Sequence, residues 1–468
     1  MAAGSAAYQK ERYEFIERMF AGVDSIPIQQ VIGNYINLVQ RGRHFMGLCP
    51  FHHDTRLGSF VVTPDKGIWK CFTCGDEYAG NAAKFVSLYK TIPYLDAVFD
   101  IALQYGVITP VQYDKYAKKK YDDAFVKKLE KRYSDKAKDE EKPVKAAPEV
   151  IHNVYLLIQM LCPLSEEHRA KLENERVLPE DRIKKDYFTF PINWRQKDKI
   201  ISEIKSRFPK ITDAILQTVP GFFYDKSRGK ISFAGYKGLG ILIRNQDGVI
   251  SGIQIRKDTI KDGDSRYVWF SSSFAFYRKD EFAGGCGCGS PKDVLWAKDR
   301  SRKTLCITEG RFKSEVLSAQ GNTTISIQGV SSWSGIDSSI RAVCRMQDIK
   351  CIYVFLDSDI LGKHMLFLQS EKMCMFLAQQ FPHITIKYAF WNKEKGKGID
   401  DYIHNNGDIK KISYISVSEA SRIAKDGFLK TLKKYGVERL MDLRQEDAAS
   451  FEEDLQNLLE SRILKKTR

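Results

Sequence analysis

The chain has 468 residues, 43% of them hydrophobic and 28% charged, a balance that excludes a mainly disordered polymer and predicts two to four domains. No run of about 18 apolar residues occurs, so no membrane span is expected. Lysine and arginine number 74 against 59 aspartates and glutamates, and the net charge of +15 favours a polyanionic partner, nucleic acid first.

The opening residues MAAGS lack a basic n-region and an apolar h-region, so the reading is a cytoplasmic protein without a secretory signal. Its ten cysteines are then reduced thiols or metal ligands. Residues 10–40 read as helical, with Phe15, Met19, Val31, Tyr35 and Leu38 among polar neighbours. Two short-spaced pairs follow. Cys49-Pro-Phe-His52 and Cys71-Phe-Thr-Cys74 are separated by 18 residues. Three thiolates and one imidazole can close a tetrahedral Zn²⁺ site, and with no position left for water that site is structural. His53 competes with His52, but the two-residue spacing favours His52. Gly75 suits a turn with positive φ.

Between the pairs, Ser59-Phe60-Val61-Val62 and Gly67-Ile68-Trp69-Lys70 alternate as antiparallel strands do. Arg41, Arg43, Arg56, Lys66 and Lys70 surround Phe45, Phe51, Phe60 and Trp69. Such a surface can bind single-stranded nucleic acid by stacking and phosphate contact. The same rings also suit the core of a small zinc domain. Asn81 to Tyr105 is again helical. Residues 114–149 hold 12 basic and 9 acidic side chains, a charged helix or flexible tether.

Short β-like runs, GILIRN, GVISGIQIR and RYVWFSS, occupy 231–270. They carry Lys230, Arg244, Arg256 and Arg266 in or beside them, able as a set to hold nucleotide phosphates or a template backbone. From 304 the chain alternates strands (305–308, 323–327, 352–356, 384–390) with helices, which predicts a mainly parallel sheet. The last 60 residues read as helical. Acidic motifs follow three of those strands: Thr308-Glu309-Gly310, Asp357-Ser358-Asp359 and Gly398-Ile-Asp400-Asp401. Active sites of such sheets gather at the carboxyl ends of strands. Carboxylates held together there repel unless cations neutralise them. Hard oxygen ligands suit Mg²⁺ or Mn²⁺, and two such ions roughly 4 Å apart can activate a hydroxyl and stabilise a leaving phosphate.

These motifs together resemble the bacterial DnaG-type DNA primases, in the diverged forms of phages and mobile elements. CPFHHDTRLGSFVVTPDKGIWKCFTCGDEYAGNAAKFV is similar to that family's CHC2 zinc domain. ILIRNQDGVISGIQIR and SRYVWFSS resemble its RNA-polymerase subdomain, and TEG and DSD its Toprim motifs. The resemblance implies Cys49, His52, Cys71 and Cys74 as zinc ligands. It implies Glu309, Asp357 and Asp359 as catalytic acids which, with Asp400 and Asp401, bind Mg²⁺ or Mn²⁺. It implies Lys230, Arg244, Arg256 and Arg266 as nucleotide and template contacts. The expected fold is multidomain α+β and α/β. A zinc-ribbon-like antiparallel domain (1–110) is followed by a charged linker (111–150) and an α+β primase subdomain (151–300). A mainly parallel Toprim domain (301–405) and a helical tail (406–468) complete it.

The implied activity is synthesis of short RNA primers on single-stranded DNA by two-metal nucleotidyl transfer. Its partners would be the template, ribonucleoside triphosphates, the RNA/DNA primer duplex and a replicative helicase. The rivals are a Toprim-type nuclease, against which the zinc domain argues, and a non-catalytic single-stranded-DNA-binding protein of a mobile element, against which the retained acids argue. Two departures from the family stand out. Lys313 occupies a position where the family usually has an acid, and the last motif lacks the acid before Asp400. No G-x4-G-K-[ST] motif for a fused helicase motor occurs, and the family's helicase-binding domain is not recognisable in 405–468.

Overall fold

The computed structural model describes residues 2–52, 54, 57–117, 119, 121–134, 143–260, 265–330, 332–438 and 440–465; His53 and Arg56 lie outside the described residues. Two compact units result, residues 1–141 with 435–449 and residues 142–434 with 450–468. No helix among the described residues is long and apolar enough to cross a membrane.

The first unit is built on an antiparallel sheet of β1 (Val39–Arg41), β2 (His44–Gly47), β3 (Phe60–Thr63), β4 (Ile68–Cys71) and β5 (Ala79–Gly80), in that order. Alternation puts Phe60 and Val62 of β3 inward opposite Cys71 and Trp69 of β4. The helix Ala82–Lys90 covers that face. Asn81 caps it by accepting from the Lys84 amide at 3.0 Å. Its Phe85 meets the rings of Phe60 and Trp69 edge-on at 5.7 and 5.4 Å. Phe51, Phe60 and Trp69 are therefore core residues, whereas Phe72 is 54% exposed. The charged stretch opens as two helices, Pro110–Tyr116 and Asp123–Ser134, that pack on the helix Ala2–Asp24. Tyr116 stacks on Phe15 at 4.1 Å and Phe125 meets Tyr13 at 4.4 Å.

The second unit contains three sheets. β6 (Tyr187–Thr189), β9 (Gly238–Arg244), β10 (Ile250–Lys257) and β11 (Tyr267–Trp269) form an antiparallel sheet in the order β11-β10-β9-β6. β7 (Phe222–Asp225), β8 (Lys230–Phe233) and β12 (Phe282–Ala283) form a smaller one. A core of Val154, Ile158, Phe190, Phe222, Ile253 and Phe270, among others, unites them. The third sheet has six strands in the order β13-β15-β14-β16-β17-β18: β13 (Asp293–Leu295), β14 (Thr304–Glu309), β15 (Thr323–Ile327), β16 (Cys351–Phe355), β17 (Thr385–Phe390) and β18 (Ser413–Ser416). β15, β14, β16 and β17 run parallel, and the two edge strands antiparallel. Every residue of β15 is buried, as a strand covered on both faces requires. Helices Arg311–Ala319, Ile336–Met346 and His364–Gln380 follow β14, β15 and β16.

This sheet extends past the expected span of 301–405 at both ends, because β13 and β18 supply its edges. Both are too short, at three and four residues, to stand out as apolar runs. The tail is not separate from the sheet either. Gln456 accepts from the Gly362 amide and donates to the Ser358 carbonyl, both at 2.8 Å, and so braces the loop after β16.

Candidate functional sites

Cys49 follows β2, Cys71 ends β4, and Cys74 lies in the turn after it. Ligand atoms of Cys49, His52, Cys71 and Cys74 all lie within 4.8 Å of one another. The Cys49 and Cys74 sulfurs are 3.8 Å apart, and His52 Nδ1 lies 3.2 Å from the sulfur of Cys74 and 3.7 Å from that of Cys71. Zinc–sulfur bonds of about 2.3 Å at tetrahedral angles require sulfurs about 3.8 Å apart, so the set fits Zn²⁺. All three thiols are buried. Burial pushes the Cys49 thiol up, and hydrogen bonding to the Cys49 and Cys71 sulfurs pushes Cys74 up. A cation is what lets three such thiols ionise together. Gly75 has φ +88°, as the turn demands. Sequence reasoning missed Asp54. Its carboxylate accepts from the Cys49 amide at 2.9 Å and lies 4.0 Å from His52 Nε2, beside the metal set.

The acids sit as the strand order predicts. β14 has β15 on one side and β16 on the other, with Thr308 opposite Phe355. Glu309 and Asp357 therefore leave the sheet side by side where its winding reverses. Basic side chains lie among the acids. Lys313, one turn beyond Glu309, donates to Asp357 Oδ1. Lys363 and Lys397 lie 2.7 and 3.0 Å from Asp359 Oδ2. Arg176 reaches Asp400 Oδ2 at 3.0 Å. Asp401 accepts from the Gly398 amide at 3.3 Å at the start of the helix Ile399–His404. Burial pushes the Glu309 carboxyl up against the pull of Lys313. Burial and the Asp401 charge push Asp400 up. Burial also opposes Asp359, but Lys363 and Lys397 outweigh it and hold that carboxyl below its usual range.

Among the described residues, the zinc ligands are the one set of three or more His, Cys, Asp or Glu drawn close enough for a single ion. The acids stand further apart, interleaved with ammonium groups. Yet Asp359 Oδ1 and Asp400 Oδ1 are buried without hydrogen-bond partners, and such oxygens suit a hard divalent cation.

A cleft of about 200 Å³ opens beside these acids. Glu309, Lys313 and Asp400 line it with Arg176, Gln254, Tyr267 and Gln328. Gln254 donates to Gln328 Oε1 at 2.7 Å, leaving Gln328 Nε2 buried without a partner. The basic residues picked from sequence line other places. Arg244 is committed to the fold through Asp186 at 2.6 Å and the Gly248 and Lys185 carbonyls at 2.9 and 3.2 Å. Lys230 pairs with Asp198 at 2.5 Å. Arg256 borders a small pocket with Arg176 and His168, and Arg266 is exposed. Arg176 itself escaped notice because it lies 224 residues from Asp400 in a segment without a motif.

Residues 13–118 match the CHC2 zinc finger family, and residues 295–410 match a domain family of unknown function, DUF3854. A DNA primase of Aquifex aeolicus is 47% identical over 81 residues, which is 17% of this chain and 16% of that one. DNA primases of Lactococcus lactis and Synechocystis are 26% and 24% identical over 60% and 84% of this chain, and 37% and 56% of theirs. The chain thus spans between about a sixth and just over half the length of these relatives. The crystal structure of the zinc-binding and RNA polymerase domains of the Aquifex aeolicus primase aligns with 95% of this chain and 99% of that one, at 18% identity and a TM-score of 0.40.

Proposed function

We propose that the protein is a primase, which joins ribonucleotides into short primers on single-stranded DNA. The observation that carries this reading is that Glu309 ends β14 and Asp357 follows the neighbouring parallel strand β16 by two residues, in a chain whose N-terminal part matches the CHC2 zinc finger family. In the reaction, the primer 3′-oxygen attacks the α-phosphorus of an incoming triphosphate. A P–O bond forms, the bond to the β-phosphate breaks, and pyrophosphate leaves. Glu309, Asp357 and Asp359, with Asp400 beside them, would hold Mg²⁺ or Mn²⁺, which supplies charge neutralisation at the phosphate and eases ionisation of the 3′-hydroxyl. Lys363 and Lys397 bring positive charge to the same edge, where triphosphate oxygens can accept it. The cleft beside Glu309 offers Gln328 Nε2 and the Arg176 guanidinium to the nucleotide.

The zinc domain contacts template. Phe72 is 54% exposed with the Lys70 ammonium 5.6 Å from its ring, a stacking surface with charge for phosphate. Such an enzyme acts beside a replicative helicase in the cytoplasm of a prokaryotic or infected cell. Incubation with single-stranded DNA, labelled ribonucleotides and Mg²⁺ or Mn²⁺ tests the reading. New oligoribonucleotides are expected. DNA cleavage, or a gel shift without product, would replace it with a nuclease or a binding protein.

A further inference from the structure

Glu309, Asp357 and Asp400 come from three different connections of the six-stranded sheet, and one ammonium group stands among them. Lys313 donates to Asp357 Oδ1. It also lies beside Asp400 across Gly398, where an added Cβ would fall 2.2 Å from Asp400 Oδ1 and 2.9 Å from Lys313 Cε. Glycine at 398 is what lets these groups close up.

The other lysines of the cluster differ in one respect. The Lys397 and Lys363 side chains are 56% and 32% exposed, so they can leave for solvent when a divalent ion arrives. The Lys313 side chain is 17% exposed and rises from a buried turn of the helix Arg311–Ala319. It stays. The charges then balance for one ion. Glu309, Asp357, Asp359 and Asp400 carry four negative charges when ionised, and Asp401, exposed to water, stands outside this count. Lys313, and Arg176 whose guanidinium is also held 4.8 Å from the Phe312 ring, cancel two of these, which leaves the charge of a single divalent cation.

Resting on the reading of these acids given above, we propose that Lys313 is a built-in cation that takes the place of a second divalent ion. The site then works with one Mg²⁺ or Mn²⁺, held on the side of Asp359. Lys313 acts through the carboxylates and is a positioning residue. The full-length, zinc-loaded protein is titrated with Mn²⁺ alone, and bound ions are counted by electron paramagnetic resonance. One Mn²⁺ is expected for wild type and for Lys313→Arg, none for Asp359→Asn, and two for Lys313→Glu. Lys313→Gln should bind its Mn²⁺ about tenfold more tightly, because a like charge has been removed. If circular dichroism shows Lys313→Glu unfolded, Lys313→Gln decides. Two ions on the wild type, an ion retained by Asp359→Asn, or wild-type count and affinity in the folded Lys313→Glu or Lys313→Gln variant would overturn the proposal. The count needs neither nucleotide nor template. A wild type that follows this pattern but makes no oligoribonucleotide keeps the role of Lys313 and loses the primase reading. One that polymerises while holding two ions does the reverse.

Discussion

Asp357 and Asp359 begin on lysines, so each offers a metal the oxygen that its lysine does not hold. Asp359 keeps one buried oxygen without a partner, and Asp357 keeps its second oxygen 3.8 Å from the exposed Lys397. Replacing either carboxylate by an amide removes a charged ligand at nearly constant shape. Asp357→Asn and Asp359→Asn should lower nucleotide addition on the order of 100-fold or more, since metal stabilisation of the transferring phosphate contributes several kcal/mol. The melting temperature should stay near that of wild type. Primer synthesis within a few-fold of wild type would remove both residues from the reaction. A second residue makes a pH prediction. His364 stacks on Phe428 at 3.5 Å, and burial pushes its pKa down to about 4. An unfolded chain protonates this imidazole near pH 6.5, while the folded one leaves it neutral until about pH 4. The unfolded state thus binds the extra proton in that window, and stability falls as pH drops through it, by at most about 1.4 kcal/mol per unit. Urea titrations at stepped pH should show His364→Phe losing part of that acid sensitivity. Parallel profiles for the two proteins would place the imidazole in water.

Elements of the second unit are joined by buried charge. Arg311, at the start of the helix after β14, is 3% exposed. It donates to Asp293 of β13 at 2.9 Å, to Glu315 on its own helix at 2.8 Å, and to Asp186 just before β6. Arg244 on β9 shares that Asp186. Burial drives the Asp293 carboxyl up to about 6 even beside this guanidinium. Arg311→Ala would strand these acids in the interior, and breaking a buried pair costs about 3–5 kcal/mol. Denaturant unfolding of the second unit measures it, and a loss below about 1 kcal/mol would mean that the acids find other partners. Nothing in the sequence announces this network. Apolar runs reveal β14 to β17 because each must be covered on both faces, and the acids after them follow from strand direction. Ion pairs between positions 186, 293 and 311 carry no periodicity. For the same reason Arg244, a basic residue on a strand before the acids, read as a phosphate contact although each of its three nitrogens bonds within the fold. The lysines on Asp357 and Asp359 were hidden likewise, since a motif shows which residues are near in sequence and not which charge neutralises which.

For the whole molecule, the order of parts was visible because each carries its own chemistry: Cys and His pairs first, acids at strand ends later. The edges were not, because β13 and β18 are short and because residues 435–449 return to the first unit. That the two units are separately compact allows them to be tested separately. In the first, the sheet packs on an aromatic cluster around Trp69 and Phe85, with the four zinc ligands at its rim. Structural zinc sites contribute on the order of 10 kcal/mol to the folding of small domains. Cys71→Ser or Cys74→Ser should therefore melt the sheet β1 to β5. The second unit, with a hydrophobic core of its own, should stay folded. Near-ultraviolet circular dichroism of Trp69 against that of the tryptophans beyond residue 190, read in single-tryptophan variants, separates the two. The consequence for synthesis follows from what each step must hold. Initiation joins two free nucleotides on a template with no primer to share the binding, so it needs every template contact available. Extension of an annealed primer needs fewer. The serine variants should then lose de novo synthesis at least tenfold more than primer extension on the same template, an extra loss of about 1.4 kcal/mol of transition-state stabilisation. Zinc-free variants that initiate as well as wild type would show that the zinc domain serves partner binding and has no part in holding the template.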